Sequence, residues 1–163
     1  MNIILTGMPG SGKTTVAKIF SRRGAKVYDT DARIVEKHGE INKIFERFGE
    51  EYFRDLETET VKELASLNGV VISTGGGCVL RQKNVDLFKA NGKIVYLRTS
   101  VDTLIKRVDG DNSRPLLKGG AAEKLTELYN KRAEVYANAA DIIIDTDSLT
   151  PDEVADKITE RIN

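Results

Sequence analysis

One segment constrains the fold of this chain more than any other, the sequence GMPGSGKT at residues 7–14. It matches the pattern G-x-x-x-x-G-K-[ST] in the context that the pattern requires. The short apolar run 2–5, typical of a buried strand, comes directly before it, and the helix-competent run 15–20 follows it. The segment therefore predicts a strand, a loop and a helix in succession at the start of the chain.

The residue types in this segment suit the binding of phosphate groups. Glycines allow backbone N–H groups to converge on phosphate oxygens, and the N-terminus of the following helix adds a favourable partial charge. Lys13 can reach the β- and γ-phosphates, while the Thr14 hydroxyl can bind Mg²⁺. We therefore expect a nucleoside triphosphate here; the alternative is a glycine-rich turn without a ligand.

Size and charge limit the remaining possibilities. With 163 residues, the chain has the length of one domain, which we place at residues 1–163. Its 25 Lys and Arg residues balance 25 Asp and Glu residues, so no overall charge attracts nucleic acid or an anionic membrane. Cys78 is the only cysteine, which fits a reducing compartment, and the apolar run 2–5 is too short for a signal peptide. We expect a monomeric, cytoplasmic protein.

Apolar runs typical of strands alternate with segments of helical length along the chain. This alternation predicts an α/β fold, in which helices connect the strands of a parallel sheet. The predicted strands are residues 2–5, 26–28, 70–73, 93–97 and 141–144. The predicted helices are residues 16–23, 32–38, 41–67 with a possible break at Gly49, 81–90, 101–108, 122–139 and 152–162. Ser100 and Thr150 are predicted N-caps, and Pro151 is predicted to be the first residue of the last helix.

Two carboxylates follow the second predicted strand, at Asp29 and Asp31. At a strand end, one could contact Mg²⁺ through water while the other meets a substrate hydroxyl. Alternatively, Thr30 or Asp31 simply begins the next helix as an N-cap. The spacing alone favours neither interpretation.

Three glycines follow the third predicted strand, at residues 75–77. Residues without Cβ permit a very close approach of the backbone to a ligand, to which their N–H groups can donate. The alternative is a tight turn that needs a positive φ, but one glycine would suffice for that purpose. The triplet therefore favours contact with a ligand.

Four arginines could recognise anions, but each could also be an ordinary surface charge. Arg54 has acids at helical spacing, Glu50 and Glu57, which would neutralise it on a solvated face. Arg132 is open to the same objection. Arg107 and Arg114 flank the irregular loop 109–115, where an arginine could close over a triphosphate.

Taken together, these residues resemble the shikimate kinase family, within the nucleoside monophosphate kinase-like branch of phosphate-loop proteins. The resemblance covers nearly the whole chain. Beyond residues 7–14, its motifs are D-x-D at 29–31, F-R-x-x-E at 53–57, G-G-G at 75–77, R-P-L-L at 114–117 and K-R-x-x-x-Y at 131–136. This ordered set is far more specific than the first motif alone.

The resemblance implies a three-layer fold: a five-stranded parallel sheet in the order 2-3-1-4-5, flanked by helices. It also implies a substrate-binding helical segment at about residues 31–67 and a mobile lid at about residues 109–120. The implied reaction transfers the γ-phosphoryl group of ATP to the 3-hydroxyl of shikimate, with Mg²⁺ as cofactor. The products would be ADP and shikimate 3-phosphate, in the biosynthesis of chorismate and the aromatic amino acids.

The resemblance also assigns roles to individual residues. Lys13, Asp31 and Arg114 would be catalytic. Nucleotide binding would involve Gly10, Ser11, Gly12, Lys13, Thr14, Thr15, Arg107, Arg114 and Pro151. Shikimate binding would involve Asp31, Arg54, Gly75, Gly76, Gly77 and Arg132, and Mg²⁺ would be bound by Thr14 and, through water, by Asp29.

The chain departs from the family pattern at Asp55, where some members carry a basic residue, so we expect a weaker positive field beside Arg54. The predicted lid is also short. The alternatives are a kinase for another polyol acid, such as gluconate, and a nucleotide-dependent regulatory module. A pure switch has no need for the set Asp31, Arg54 and Arg132, which therefore favours a kinase for a small acid.

Overall fold

The computed structural model describes residues 1–109 and 120–163. Within these residues the chain forms one sheet of five parallel strands in the order β2-β3-β1-β4-β5, which confirms the predicted α/β fold and strand order. The strands are β1 (Asn2–Thr6), β2 (Val27–Asp29), β3 (Val71–Ser73), β4 (Gly92–Arg98) and β5 (Ile142–Asp145). Each overlaps the run that the sequence predicts.

Eight α-helices accompany these strands in the described part of the chain. They are α1 (Lys13–Arg22), α2 (Thr30–His38), α3 (Ile41–Phe48), α4 (Glu50–Ala65), α5 (Gln82–Ala90), α6 (Val101–Asp109), α7 (Ala121–Ala139) and α8 (Pro151–Ile162). The break at Gly49 is confirmed, because this residue separates α3 from α4 with φ 86°. Residues 110–119 of the predicted lid, including Arg114, lie outside the described residues.

The helix starts show where local chemistry was predicted well and where it was not. The Thr150 hydroxyl accepts from the Glu153 N–H, and the Glu153 carboxylate accepts from the Thr150 N–H, so the predicted cap of α8 is confirmed. The Ser100 hydroxyl likewise accepts from the Thr103 N–H. The expectation that Thr30 or Asp31 caps α2 is wrong, because Asp29 is the cap.

The core consists of two apolar layers, one on each face of the sheet. Alternate strand residues face opposite layers, and strands buried on both faces produce the continuous apolar runs seen in the sequence. One layer packs Ile4, Ile72, Ile94 and Tyr96 against α4, α5 and α7; the other packs Leu5, Val71, Val95 and Leu97 against α1 and α8. This arrangement leaves the carboxyl ends of the strands free to build a site. Among the described helices, none combines the length and the apolar character needed to cross a membrane.

Candidate active site

A cleft of about 630 Å³ lies at the carboxyl edge of the sheet. Its walls come from the loop after β1, the start of α1, the end of β2, the start of α2 and the loop after β3, together with Arg107 and Pro151. The lining residues are Pro9, Gly10, Gly12, Lys13, Thr14, Thr15, Asp29, Asp31, Ser73, Thr74, Gly75, Gly76, Arg107 and Pro151. The fold therefore brings together most of the predicted site residues, although they come from distant parts of the sequence.

The phosphate loop, residues 7–12, owes its shape to glycines in unusual backbone conformations. Gly7, Gly10 and Gly12 have φ angles of 149°, 85° and 98°, which L side chains rarely adopt. Helix α1 begins directly afterwards at Lys13, three residues earlier than predicted, so its first turn faces the cleft. Ser11, within the loop, is buried, and its N–H donates to the Met8 carbonyl oxygen at 3.0 Å.

Lys13 is held by the carbonyl oxygens of its own loop. Its Nζ donates to the Gly7 carbonyl oxygen and, at 3.2 Å, to that of Met8. Burial lowers the pKa of Lys13 from 10.5 to about 8, against the opposing influence of Asp31 and Asp29. The amine is thus a poorly solvated cation, which an anionic phosphate would stabilise.

Asp29 and Asp31 both line the cleft, and Asp29 also caps a helix. Asp29 Oδ1 accepts from the Ala32 N–H at 2.9 Å and caps α2, yet Asp29 also lines the cleft. Burial, followed by the nearby charge of Asp29, raises the pKa of Asp31, while Lys13 and Arg54 act in the opposite direction. A raised pKa makes Asp31 a better proton acceptor than an ordinary aspartate.

Thr14 and Asp29 provide oxygen donors that fit Mg²⁺. This ion typically takes one or two protein oxygens and completes its coordination with water and substrate phosphates. Both residues line the phosphate-loop cleft, where phosphate oxygens would supply the remaining ligands. The described residues contain no cluster of three or more His, Cys, Asp or Glu side chains suited to a metal.

In the glycine triplet, residues 75–77, glycine provides space for other side chains and not an unusual backbone conformation. None of its members has a positive φ, so the interpretation as a turn that needs positive φ is wrong. A Cβ on Gly75 would lie 2.5 Å from Asp31 Oδ1, one on Gly76 would lie 3.0 Å from Arg132 Nη1, and one on Gly77 would lie 2.5 Å from Arg54 Nη1. Each glycine therefore makes room for one of the three side chains predicted to bind the substrate.

Arg54 is paired with acids, as the alternative interpretation expected, but it is not on a solvated face. Only 13% of its side chain is exposed, and its Nη1 donates to Glu57, which is 1% exposed, at 2.9 Å. Burial alone would lower the pKa of Arg54, but Glu57 and Glu50 together raise it above its usual value. Glu57 thus holds a permanently charged guanidinium against the glycine triplet.

The carboxylate of Asp55 forms its ion pair with Arg81 and not with Arg54. Its carboxylate accepts from Arg81 Nη1 at 2.9 Å, and Arg81 also binds Glu51 at 2.8 Å. Asp55 therefore has a cationic partner outside the cleft, which offsets the weakening of the positive field expected beside Arg54.

The predicted site residues differ in how closely they approach the cleft. Arg107 and Pro151 line the cleft: Arg107 Nη1 donates to the Gly10 carbonyl oxygen at 2.8 Å, and Pro151 is the first residue of α8. Arg132, on α7, lies against Gly76. Ser11, Gly77, Arg54 and Arg132 are not in the immediate lining, and Arg114 lies outside the described residues.

The sequence of this chain matches a model of the shikimate kinase family over residues 9–163. The chain belongs to the shikimate kinase family. The shikimate kinase of Caldicellulosiruptor bescii is 43% identical over 160 residues, which cover 96% of this chain and 92% of that protein. The shikimate kinase of Geobacter sulfurreducens is also 43% identical over 160 residues, covering 96% of this chain and 88% of that protein.

Solved structures of this family have the same fold. A shikimate kinase from Acinetobacter baumannii in complex with shikimate is 36% identical, with a TM-score of 0.88 over 99% of this chain and 92% of that one. The enzyme from Aquifex aeolicus is 34% identical, with a TM-score of 0.85 over 99% of this chain and 96% of that one. The resemblance found in the sequence is therefore confirmed, and the activity of this chain is that of an ATP-dependent shikimate kinase.

Three residues contribute to the geometry of the site although the sequence assigned none of them to substrate or nucleotide binding. The Thr30 hydroxyl accepts from the Gly75 N–H at 2.9 Å, and the Tyr136 hydroxyl donates to the Gly76 carbonyl oxygen at 2.6 Å. Glu57 holds Arg54. Helical spacing had already suggested the pairing of Glu57 with Arg54, whereas only the structure reveals the partners of Thr30 and Tyr136.

Proposed function

We propose that the acid is bound between the glycine triplet, α4 and α7, and that the nucleotide is bound on the phosphate loop. The observation that carries this proposal is the matched packing of Gly75, Gly76 and Gly77 against Asp31, Arg132 and Arg54, next to the phosphate-loop cleft. Shikimate is a small ring with one carboxylate and three hydroxyls. Paired arginines suit the carboxylate, and an aspartate suits the hydroxyls.

The nucleotide half of the site would use the phosphate loop and its neighbours. Gly10, Ser11, Gly12 and the first turn of α1, with Lys13, Thr14 and Thr15, would hold the triphosphate, while Arg107 and Pro151 would border the adenine. Thr14, and Asp29 through water, would hold Mg²⁺, which supplies charge stabilisation on the phosphate oxygens. Lys13 would add a cation to the transferring group once the phosphates replace its carbonyl partners.

In the acid half of the site, which is the part that binds shikimate, Arg54 and Arg132 would bind the substrate carboxylate. Asp31 would hold the substrate hydroxyls. The 3-hydroxyl oxygen forms a bond to the γ-phosphorus, while the bond from that phosphorus to the β–γ bridging oxygen breaks. The hydroxyl proton passes to Asp31, whose raised pKa suits this role. Arg114 would stabilise the transferring phosphoryl group from the lid.

The wider setting is also part of the proposal. The chain would act as a monomer in the cytoplasm, as one domain over residues 1–163, with residues 31–67 as its acid-binding segment. The small apolar cluster that joins Ile34, Ile44 and Phe53 supports this view of α2, α3 and α4 as a unit.

The decisive measurement is ADP production with shikimate, without it and with gluconate. We expect turnover only with shikimate.

Arg54→Ala should raise the KM for shikimate by about 50-fold, as for the loss of a charge-assisted hydrogen-bond pair, with the KM for ATP unchanged. Lys13→Ala should abolish turnover.

Arg81→Ala is the matched control, because this arginine also binds acids of α4 but is not one of the side chains that pack against the glycine triplet. Its KM for shikimate should stay within about twofold of the unmodified protein, as for a surface ion pair. Equal effects of the two arginine substitutions would contradict the assignment of Arg54.

A further inference from the structure

Tyr136 is a buried tyrosine whose hydroxyl bonds to the glycine triplet. It lies on α7 and has no exposed surface. Its hydroxyl donates to the Gly76 carbonyl oxygen at 2.6 Å, across 60 residues of sequence. A buried phenol needs a polar partner, but this partner belongs to the segment that makes room for the substrate-binding side chains.

Tyr136 also shares a helix face with Arg132, one turn earlier on α7. Arg132 Nη1 lies 3.0 Å from the position that a Cβ on Gly76 would occupy. Burial raises the pKa of Tyr136, while the charge of Arg132 opposes this effect, consistent with their proximity. One turn of α7 therefore faces Gly76 at two points, with a hydrogen bond from the Tyr136 hydroxyl and with the Arg132 guanidinium beside the space that a side chain on Gly76 would fill.

A glycine triplet needs such contacts, because glycine has more conformational freedom to lose on ordering than any other residue. From the other side, the buried Thr30 hydroxyl accepts from the Gly75 N–H at 2.9 Å. The carbonyl oxygen of Gly76 belongs to the same peptide unit as the N–H of Gly77. A bond to that oxygen therefore fixes the direction in which the N–H points.

We propose that Tyr136 is a positioning residue for the acid site, whose hydroxyl fixes the peptide after Gly76 and sets the distance between Arg132 and the glycine triplet. This inference rests on the proposed role of Arg132 in binding the substrate carboxylate. It concerns a residue that acts through others and does not itself contact the substrate.

The test compares Tyr136→Phe with Tyr96→Phe. The two rings pack together with centroids 5.2 Å apart, and within the described residues the buried Tyr96 hydroxyl has no hydrogen-bond partner. Tyr136→Phe should raise the KM for shikimate about tenfold, as for the loss of one hydrogen bond, with kcat, the KM for ATP and the affinity for ADP nearly unchanged. Tyr96→Phe should leave all four values unchanged.

Hydrogen exchange in the ADP complex provides a second measurement, since bound ADP stabilises the folded form of both variants. Amides of residues 74–78 should exchange faster in Tyr136→Phe, whereas those of residues 7–15 should not. Faster exchange in both segments, or a parallel loss of ADP affinity, would indicate general loosening of the core and would overturn the proposal.

A double substitution tests the route through Arg132. In the Arg132→Ala background, Tyr136→Phe should add less than about twofold to the KM for shikimate, because the residue through which it acts is gone. A full tenfold addition would overturn the proposal. Without shikimate-dependent turnover in the unmodified protein, the proposed function itself fails; normal turnover with an unaffected Tyr136→Phe variant overturns this inference alone.

Discussion

The two glycine-rich loops at this edge of the sheet use glycine for different physical reasons. In the phosphate loop, Gly7, Gly10 and Gly12 all have positive φ, so glycine provides a backbone conformation. In the triplet 75–77 no residue has positive φ, and glycine instead provides space for side chains from elsewhere. The comparison shows that a run of glycines identifies a close approach without revealing what approaches.

The loops also differ in where their charge originates. The phosphate loop is followed by its own cation, Lys13, and by the N-terminus of α1. The triplet has no charged side chain, and its charges come from Asp31 on α2, Arg54 on α4 and Arg132 on α7. One loop is therefore a contiguous motif, while the other is the meeting point of three helices.

The largest expected effect comes from filling the space at Gly77. Gly77→Ala would place a methyl group 2.5 Å from both terminal nitrogens of Arg54, so the guanidinium must move. The KM for shikimate should rise about 50-fold while ADP affinity is retained, because a charge-assisted contact is lost without change to the phosphate loop. Steady-state kinetics and ADP titration measure the two effects.

The control is the same substitution in an Arg54→Ala background. With no guanidinium to displace, Gly77→Ala should then add less than about twofold to the KM for shikimate. A large additional effect would mean that Gly77 is required for its backbone conformation and not for the space that it leaves to Arg54.

A smaller effect is expected from Gly12→Ala. At φ 98° a side chain strains the backbone by about 1–2 kcal/mol, and relaxation would turn the amides of the phosphate loop away from a bound phosphate. ADP affinity should therefore fall about tenfold, with the KM for shikimate unchanged. Calorimetric titration with ADP measures the loss.

Gly24→Ala is matched to this change, because Gly24 has φ 96° and no atom within 4 Å of the added Cβ. It should lower the free energy of unfolding by a similar amount and leave ADP affinity unaltered. If both variants lost ADP affinity equally, strain in the phosphate loop would have no special connection with the nucleotide.

The smallest effect concerns pH and the phosphate loop alone. Because the pKa of Lys13 is about 8 in the folded chain, against an ordinary 10.5, the amine loses its proton above pH 8. ADP affinity should fall about fourfold between pH 7 and 8.5, since phosphate binding requires the charged form. Titration with ADP at pH 8.5 should also show that ADP binding is accompanied by proton uptake by the protein. Lys13→Met should remove both the loss of ADP affinity and the proton uptake.

The same shift has a defined consequence for stability. The folded chain disfavours the charged amine of Lys13. The resulting destabilisation of the folded chain is fully present below pH 8 and is relieved as pH rises towards 10.5. In that window the unfolded chain holds more protons, so the contribution of Lys13 to the free energy of unfolding increases with pH. The Lys13→Met variant should lack this increase in urea denaturation.

The fold and the nucleotide half of the site were largely predictable because their signals are local. Burial on both faces of the sheet produced the apolar runs of β1, β3 and β4, and the caps at Ser100 and Thr150 have characteristic residues. The phosphate loop is contiguous in sequence. Even so, α1 begins three residues earlier than predicted, within the motif itself.

The acid half was predictable only through the family resemblance, because its contacts join distant residues. The sequence suggested that residues 75–77 contact a ligand, but not that each glycine accommodates a different side chain. The sequence shows Tyr136 only as part of the motif at residues 131–136, without a partner. Arg81, the partner of Asp55, lies 26 residues further along the chain, so this ion pair could not be predicted from the sequence.

The one-to-one matching in the triplet has an evolutionary consequence. If a descendant of this chain came to accept a different acid and lost Arg54, the constraint on Gly77 would disappear and larger residues would become tolerable there. Gly76 is linked to Arg132 in the same way, and Gly75 to Asp31. The triplet would then carry, position by position, a record of which acceptor-binding side chains a lineage has kept.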